Sequence, residues 1–150
     1  MFNASLFRAN LTNATLSNVN LLSTAPTRVN LVDANLTNAT LSNVNLSGAS
    51  LFRADLTNAD LSYVNLSGAD LSGANLSYVN LFGVGMFNAK LFRAKLFRAK
   101  LSNVNLTGVR LSVANLSGVD LSGVDLSGTD LAGTDLAGTD LTMTRSPSVG

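Results

Sequence analysis

The chain has 150 residues, ten Lys and Arg against nine acids that are all Asp, a net charge of +1, and no Cys or His. That length suits one domain, the balanced charge removes any global attraction to nucleic acid or anionic membranes, and the missing Cys and His exclude disulfides, thiolate metal sites and the commonest general base. Glu, Gln, Trp and Ile are also missing, which leaves few good helix formers beside abundant Asn, Ser, Thr and Gly.

At the N-terminus, "MFNASLFRAN" lacks the basic region, apolar stretch and cleavage site of a signal peptide. No apolar run approaches the roughly 18 residues of a membrane span. The expectation is a cytoplasmic protein with no membrane association. From Leu6 onward Leu occupies 26 of the 28 positions taken every fifth residue through Leu141, with Pro26 and Met86 the exceptions. Ala, Val or Thr stands two residues before each Leu, and Asn or Asp usually lies between them. In a helix a five-residue step rotates about 140° and would scatter the Leu. In a straight strand an odd step sends successive Leu to opposite faces. A chain that turns a corner every five residues gives them one axis, and this is a β-solenoid. The sides per coil are read from charge at the position before Leu. At a spacing of 20 the opposite pairs are Asp70–Lys90, Lys100–Asp120, Arg110–Asp130 and Asp125–Arg145, against the like pairs Lys90–Arg110 and Asp120–Asp140. A spacing of 15 gives more like pairs, so four sides fit better.

Residues 21–30, "LLSTAPTRVN", keep the count of five but lose the core Leu at Pro26, which cannot donate to a ladder. A distorted corner is expected there, with neighbouring coils in register. Blocks such as "ADLTN" (54–58), "ADLSG" (69–73) and "ANLSY" (74–78) follow. They resemble the A(D/N)LXX motif of pentapeptide-repeat proteins, over nearly the whole chain. The resemblance implies an all-β fold, a right-handed quadrilateral β-helix of about seven 20-residue coils, about 35 Å long at the spacing of stacked strands. One solenoid domain is expected over 1–145, with a tail at 146–150. The core should be Leu with Ala beside it, exchanged for Val at Val44, Val64, Val79 and Val104. Thr129, Thr134, Thr139 and Thr144 make the last coil more polar, where water can reach the hydroxyls.

A basic, aromatic stretch occupies the middle of the chain: Phe82, Phe87, Phe92 and Phe97, with Lys90, Arg93, Lys95, Arg98 and Lys100. On a four-sided coil it is a belt around the rod, one Phe per face. Phe beside Arg can stack bases or hold anions, which makes the belt a candidate contact site. Its spread over four faces favours ordinary solvated surface. Copying supports that reading. "LTNATLSNVNL" occurs at 11–21 and 36–46, a shift of 25, and "LFRANLTNAT" (6–15) recurs as "LFRADLTNAD" (51–60), a shift of 45. In coils of 20 both shifts place the copy one face off. Asp120, Asp125, Asp130, Asp135 and Asp140 wind round the rod after the belt and do not converge as Ca²⁺ requires.

No catalytic residue, metal site, cofactor or small-molecule substrate is expected, because Ser and Thr lack a base and no insertion builds a pocket. The leading reading is a non-catalytic scaffold or protein-interaction module. The resemblance offers a second, a DNA-mimicking modulator of type II topoisomerase, which the near-neutral charge disfavours; direct nucleic-acid binding is not expected either. A third is ice or surface binding by a ladder of Ser17, Thr37, Thr57 and Ser77 beside Asn18, Asn38 and Asn58. A fourth is a recently expanded or engineered repeat without a specialised partner. Self-association is expected through one end of the rod, where backbone groups are unpaired. The N-terminal end, with Met1, Phe2, Leu6 and Phe7, is the more adhesive on this chain, whereas the family dimerises through its C-terminal end.

Overall fold

In the computed structural model, which describes residues 6, 8–16, 29–142 and 144, the five-residue period becomes a corner every five residues. Each Leu carbonyl accepts the N–H three residues on, as from Ala34 to Leu31 (3.1 Å) and from Ala74 to Leu71 (3.0 Å). The residue before that donor has positive φ in every described block, for example Asp33 (55°), Gly73 (68°) and Arg93 (57°). These are the marks of a type II turn. The Asn or Asp before each Leu braces the corner by accepting the N–H two residues on, at 3.0 Å from Thr37 to Asn35 and from Ser72 to Asp70. At Asp120 the Ser122 hydroxyl and N–H together hold the carboxyl below its usual range.

Coils stack through backbone bonds on every side. Leu31 N–H reaches Ser50 O (2.7 Å), Asp33 N–H reaches Phe52 O (3.0 Å) and Asp55 N–H reaches Ala34 O (2.9 Å). The residues before Leu pair in parallel at intervals of twenty: Asn30, Ser50, Asp70, Lys90, Arg110 and Asp130 form one such line. Four sides therefore make a coil. We number the faces by their Leu columns: face one carries Leu31, Leu51, Leu71, Leu91 and Leu111, face two follows five residues later, and so on. Of the expected charge pairs, Lys90 Nζ lies 3.9 Å from Asp70. Lys100 and Asp120, and Arg110 and Asp130, are ladder neighbours. Arg145, the expected partner of Asp125, and the tail lie outside the described residues.

The first coil departs from the expected count. Asn10 pairs with Asn35 and Thr15 with Thr40, twenty-five residues apart, not twenty. The first coil is therefore one five-residue block longer than the others. The inward-pointing residues enforce the phase of five, but nothing local enforces four blocks per turn. Pro26 itself lies outside the described residues. The ladder of Thr37, Thr57 and Ser77 continues downward to Thr12, and Asn38 donates to Asn13 (3.2 Å); Ser17 and Asn18 lie outside the described residues.

The interior is dry and repetitive. Every fifth residue from Leu31 to Leu126, Met86 included, is at most 3% exposed. Burying such a side chain is worth about 1.5–3 kcal/mol. Burial does not extend to both ends as expected: Leu6, Leu11, Leu16, Leu131 and Leu136 are only partly covered and Leu141 is 42% exposed, because among the described residues no further coil lies over them. The Ala and Val beside the Leu sort by face. Face two has Ala at 9, 34, 54, 74, 94 and 114, and face four has Val at 44, 64, 84, 104 and 124. In the Thr coil, Thr129, Thr134 and Thr139 donate to the carbonyls of Leu106, Leu111 and Leu116 at 3.0 Å, which gives each hydroxyl a partner within the protein.

The ladder is slack at one level. Among the described residues the N–H groups of Asn88 and Gly108 reach the next coil only at 3.4 Å and those of Leu101, Asn103 and Leu106 make no close inter-coil bond, although Gly85 still pairs with Asn105 and Lys100 with Asp120. The slack lies on faces three and four; the blocks after Lys90 and Lys95 keep their bonds, Leu91 N–H reaching Arg110 O and Leu96 N–H reaching Asn115 O at 2.7 Å. We expect the amides of Leu101, Asn103 and Leu106 to exchange with deuterium faster than those of Leu91, Leu96 and Leu111, as measured by NMR. Leu71→Asp buries an unpartnered charge mid-rod and should cost about 3 kcal/mol or more in urea unfolding. Val113, a β-branched residue at φ 59°, holds a turn position that Asn fills elsewhere. Val113→Asn should stabilise by about 1 kcal/mol in the same assay.

Candidate contact site on face one

Two residues of each block, those directly after Leu, point away from the core without bracing a corner. The belt residues occupy this position and the one before Leu. Phe82, Phe87, Phe92 and Phe97 fall on faces three, four, one and two respectively. Lys90, Lys95 and Lys100 sit in the paired sides, each just before a corner. As they offer no side-chain acceptor, the N–H groups of Phe92, Phe97 and Ser102 lose the bracing bond that Asn or Asp gives elsewhere, worth about 1 kcal/mol each. Folding alone does not favour Lys at these corners.

The structure supplies each Phe with a setting from the coils above and below. On face three, Tyr63 meets Phe82 edge-on with ring centroids 5.4 Å apart, and its ring lies 3.0 Å from where a Cβ on Gly83 would stand. On face two, Tyr78 meets Phe97 in the same way at 5.5 Å. Arg98 lies over Phe97 (5.2 Å) and Arg93 over Phe92 (4.9 Å). Contacts of this kind are worth about 0.5–1.5 kcal/mol beyond area burial.

Face one differs. The block beneath Phe92 and Arg93 is Ser72–Gly73, and beneath that is a second Phe–Arg pair, Phe52–Arg53. The two pairs bracket a recess of about 340 Å³ lined by Phe52, Arg53, Ser72, Gly73, Phe92 and Arg93, the low end of the range for ligand pockets. Its walls are two coil rises apart, about 9.6 Å at the spacing of stacked strands. Phe52 and Phe92 are 40% and 41% exposed. Arg53 is drawn toward the N-terminal end by Asp33, to which Nε and Nη2 donate at 2.7 and 2.8 Å. Arg8 approaches the same carboxylate from the other side at 3.8 Å. Arg93 has no carboxylate within 4 Å among the described residues. Phe52 was absent from the sequence-based candidates. The signal that finds it is recurrence of "LFRA" at 51 and 91, two coils apart on one face.

The copies also stack differently from expectation. With a 25-residue first coil, "LTNAT" at 11–15 lies directly beneath its copy at 36–40, and "LFRAN" at 6–10 shares face one with "LFRAD" at 51–55. Copying here preserved the face. It did not for "LSYVN", which stands on face three at 61 and on face two at 76. Of the expected end contact, Leu6 is half-buried, and Met1, Phe2 and Phe7 lie outside the described residues. No cluster of three or more acidic side chains suited to a metal occurs among the described residues, and none of their helices could cross a membrane.

The pentapeptide-repeats family matches in eight copies across residues 30–62, 49–84, 89–128 and 114–145. No curated protein matches the chain. Among solved structures it is similar to two trypsin-treated variants of QnrB1, a plasmid-mediated fluoroquinolone resistance protein. The first has 18% identity over 96% of this chain and 70% of that one, with a TM-score of 0.81; the second has 19% over 93% and 68%, with 0.82. HetL, a pentapeptide repeat protein involved in heterocyst differentiation regulation in the cyanobacterium Nostoc, is 26% identical over the whole chain and 88% of its own, with a TM-score of 0.44. With the corners, the twenty-residue ladder and these matches in hand, the chain belongs to the pentapeptide-repeat family and folds as a right-handed quadrilateral β-helix.

Proposed function

We propose that the protein is a non-catalytic interaction module, a stiff rod that presents side chains at fixed spacings to a protein partner. The observation that carries this reading is the recess between Phe52–Arg53 and Phe92–Arg93 on an otherwise regular surface. Exposed aromatic and Arg side chains around a concavity are the residue types that dominate binding energy at protein interfaces. A rod whose coils are bonded on all sides loses little freedom on docking, which favours recognition. Modulation of a type II topoisomerase is the competing reading. It draws on a fold shared with a fluoroquinolone resistance protein at 18–19% identity, and fold is a weak warrant for function. The mid-rod cations Lys90, Arg93, Lys95, Arg98 and Lys100 oppose the acidic surface that DNA mimicry needs.

A photo-crosslinking residue placed at Ser72 should capture a protein partner in the native host, and the same residue at Ser47 on face four should not. Equal capture at both positions would remove face one as the docking surface. In a gyrase supercoiling assay, micromolar protein should leave the rate unchanged.

A further inference from the structure

"LFRAK" occurs twice in succession, at 91–95 and 96–100. The two copies stand on adjacent faces of one coil with the same Phe–Arg stacking, 4.9 Å in the first and 5.2 Å in the second. They differ in what lies one coil below. Beneath Phe97 is Tyr78, packed edge-on at 5.5 Å. Beneath Phe92 the same turn position holds Gly73. Phe82 on face three likewise has its tyrosine, Tyr63. On face four Phe87 has Gly68 below it, but Ser47 and Ser67 occupy the two preceding Phe positions, so no second wall exists. Only on face one do a missing tyrosine and a second phenylalanine coincide among the described residues.

We propose that this gap receives a tyrosine side chain from an acidic segment of a partner protein. The ring takes the place that Tyr78 holds on face two, edge-on to Phe92, with Phe52 closing the other side. Two edge-to-face contacts of about 5 Å each span the roughly 9.6 Å between the walls. The neighbouring charge selects the flanking residues. Lys90 and Lys95 stand in the paired sides before and after the Phe92–Arg93 corner, Arg110 lies one coil above Lys90, and Arg93 has no carboxylate within 4 Å among the described residues. Arg53, by contrast, is already paired with Asp33. The basic side of the recess therefore faces the C-terminal end of the rod, and the partner's carboxylates lie over Arg93, Lys95 and Arg110. This assignment rests on reading the rod as an interaction module.

The test uses a fluorescein-labelled peptide of sequence DEYED and its DEAED counterpart, read by anisotropy against the full chain. The tyrosine peptide should bind at least about tenfold more tightly than the alanine one. Gly73→Tyr supplies the ring from within. It should fold, because Tyr63 and Tyr78 adopt φ 59° at the same turn position, and it should weaken the tyrosine peptide about tenfold. Phe92→Ala should do the same, and Arg93→Gln should weaken binding about fivefold and flatten its salt dependence. Phe87→Ala on face four should leave binding unchanged. Equal binding of the two peptides, or full binding by a folded Gly73→Tyr chain, would overturn the proposal. So would oligothymidylate binding more tightly than the peptide and being lost in Gly73→Tyr. If the peptide fails while the wild-type and Gly73→Tyr rods capture the same proteins from native extract, the recess is overturned and the module reading stands. If neither rod captures any, both fall.

Discussion

The corner is the constraint on which everything else depends. A type II turn every five residues points the Leu, and the small residue two before it, at one axis. It also places the residue two after Leu at positive φ in every described block. Once that is imposed, the remaining preferences follow. The residue before Leu is Asn or Asp because its side chain braces the turn. The small inward residue cannot be large because the opposite side of the coil is close. Little freedom is left. The two residues after each Leu carry nearly all the surface variation, and the residue before it can join them only by giving up its brace.

That trade is visible in the belt coil. Lys90, Lys95 and Lys100 give up the brace of three successive corners, while the inter-coil bonds of Leu91, Arg93, Leu96 and Arg98 hold the first two in place. Gly73 belongs to the same logic from the other direction. Glycine suits positive φ without steric cost, and its missing side chain leaves the gap that Tyr78 fills on the adjacent face. Identical pentapeptides therefore acquire different roles from the coil beneath them.

The extra block in the first coil has a consequence for chemistry as well as for topology. It brings Arg8, Asp33 and Arg53 into one column, so that a single carboxylate lies between two guanidiniums. Coils of 20 throughout would have placed Arg8 on a different face. Asp33 then holds Arg53 toward the N-terminal end and keeps the recess asymmetric in charge, with a paired Arg on one wall and Arg93 available on the other.

The period of five, the inward Leu and the four-sided coil were legible from residues alone, because every block repeats the same local physics and 26 Leu cannot share a core in any simpler path. The face-sorted columns, Val44 to Val124 and Ala9 to Ala114, were also present in the sequence and spell out the interval of twenty, although the exchanges to Val were read one by one. The four belt Phe fall on four faces by their spacing of five alone, within a single coil. The recess needs Phe52, Gly73 and Phe92, each separated by about twenty residues, and its meaning comes from comparing Gly73 with Tyr78. The 25-residue first coil could not be read at all. Phase is set within a pentapeptide, by which side chains point inward, whereas the number of blocks per turn is decided only when one coil pairs with the next. What five residues enforce locally, the sequence determined; which blocks become neighbours, and hence where a gap opens between identical ones, only the stacking of coils decided.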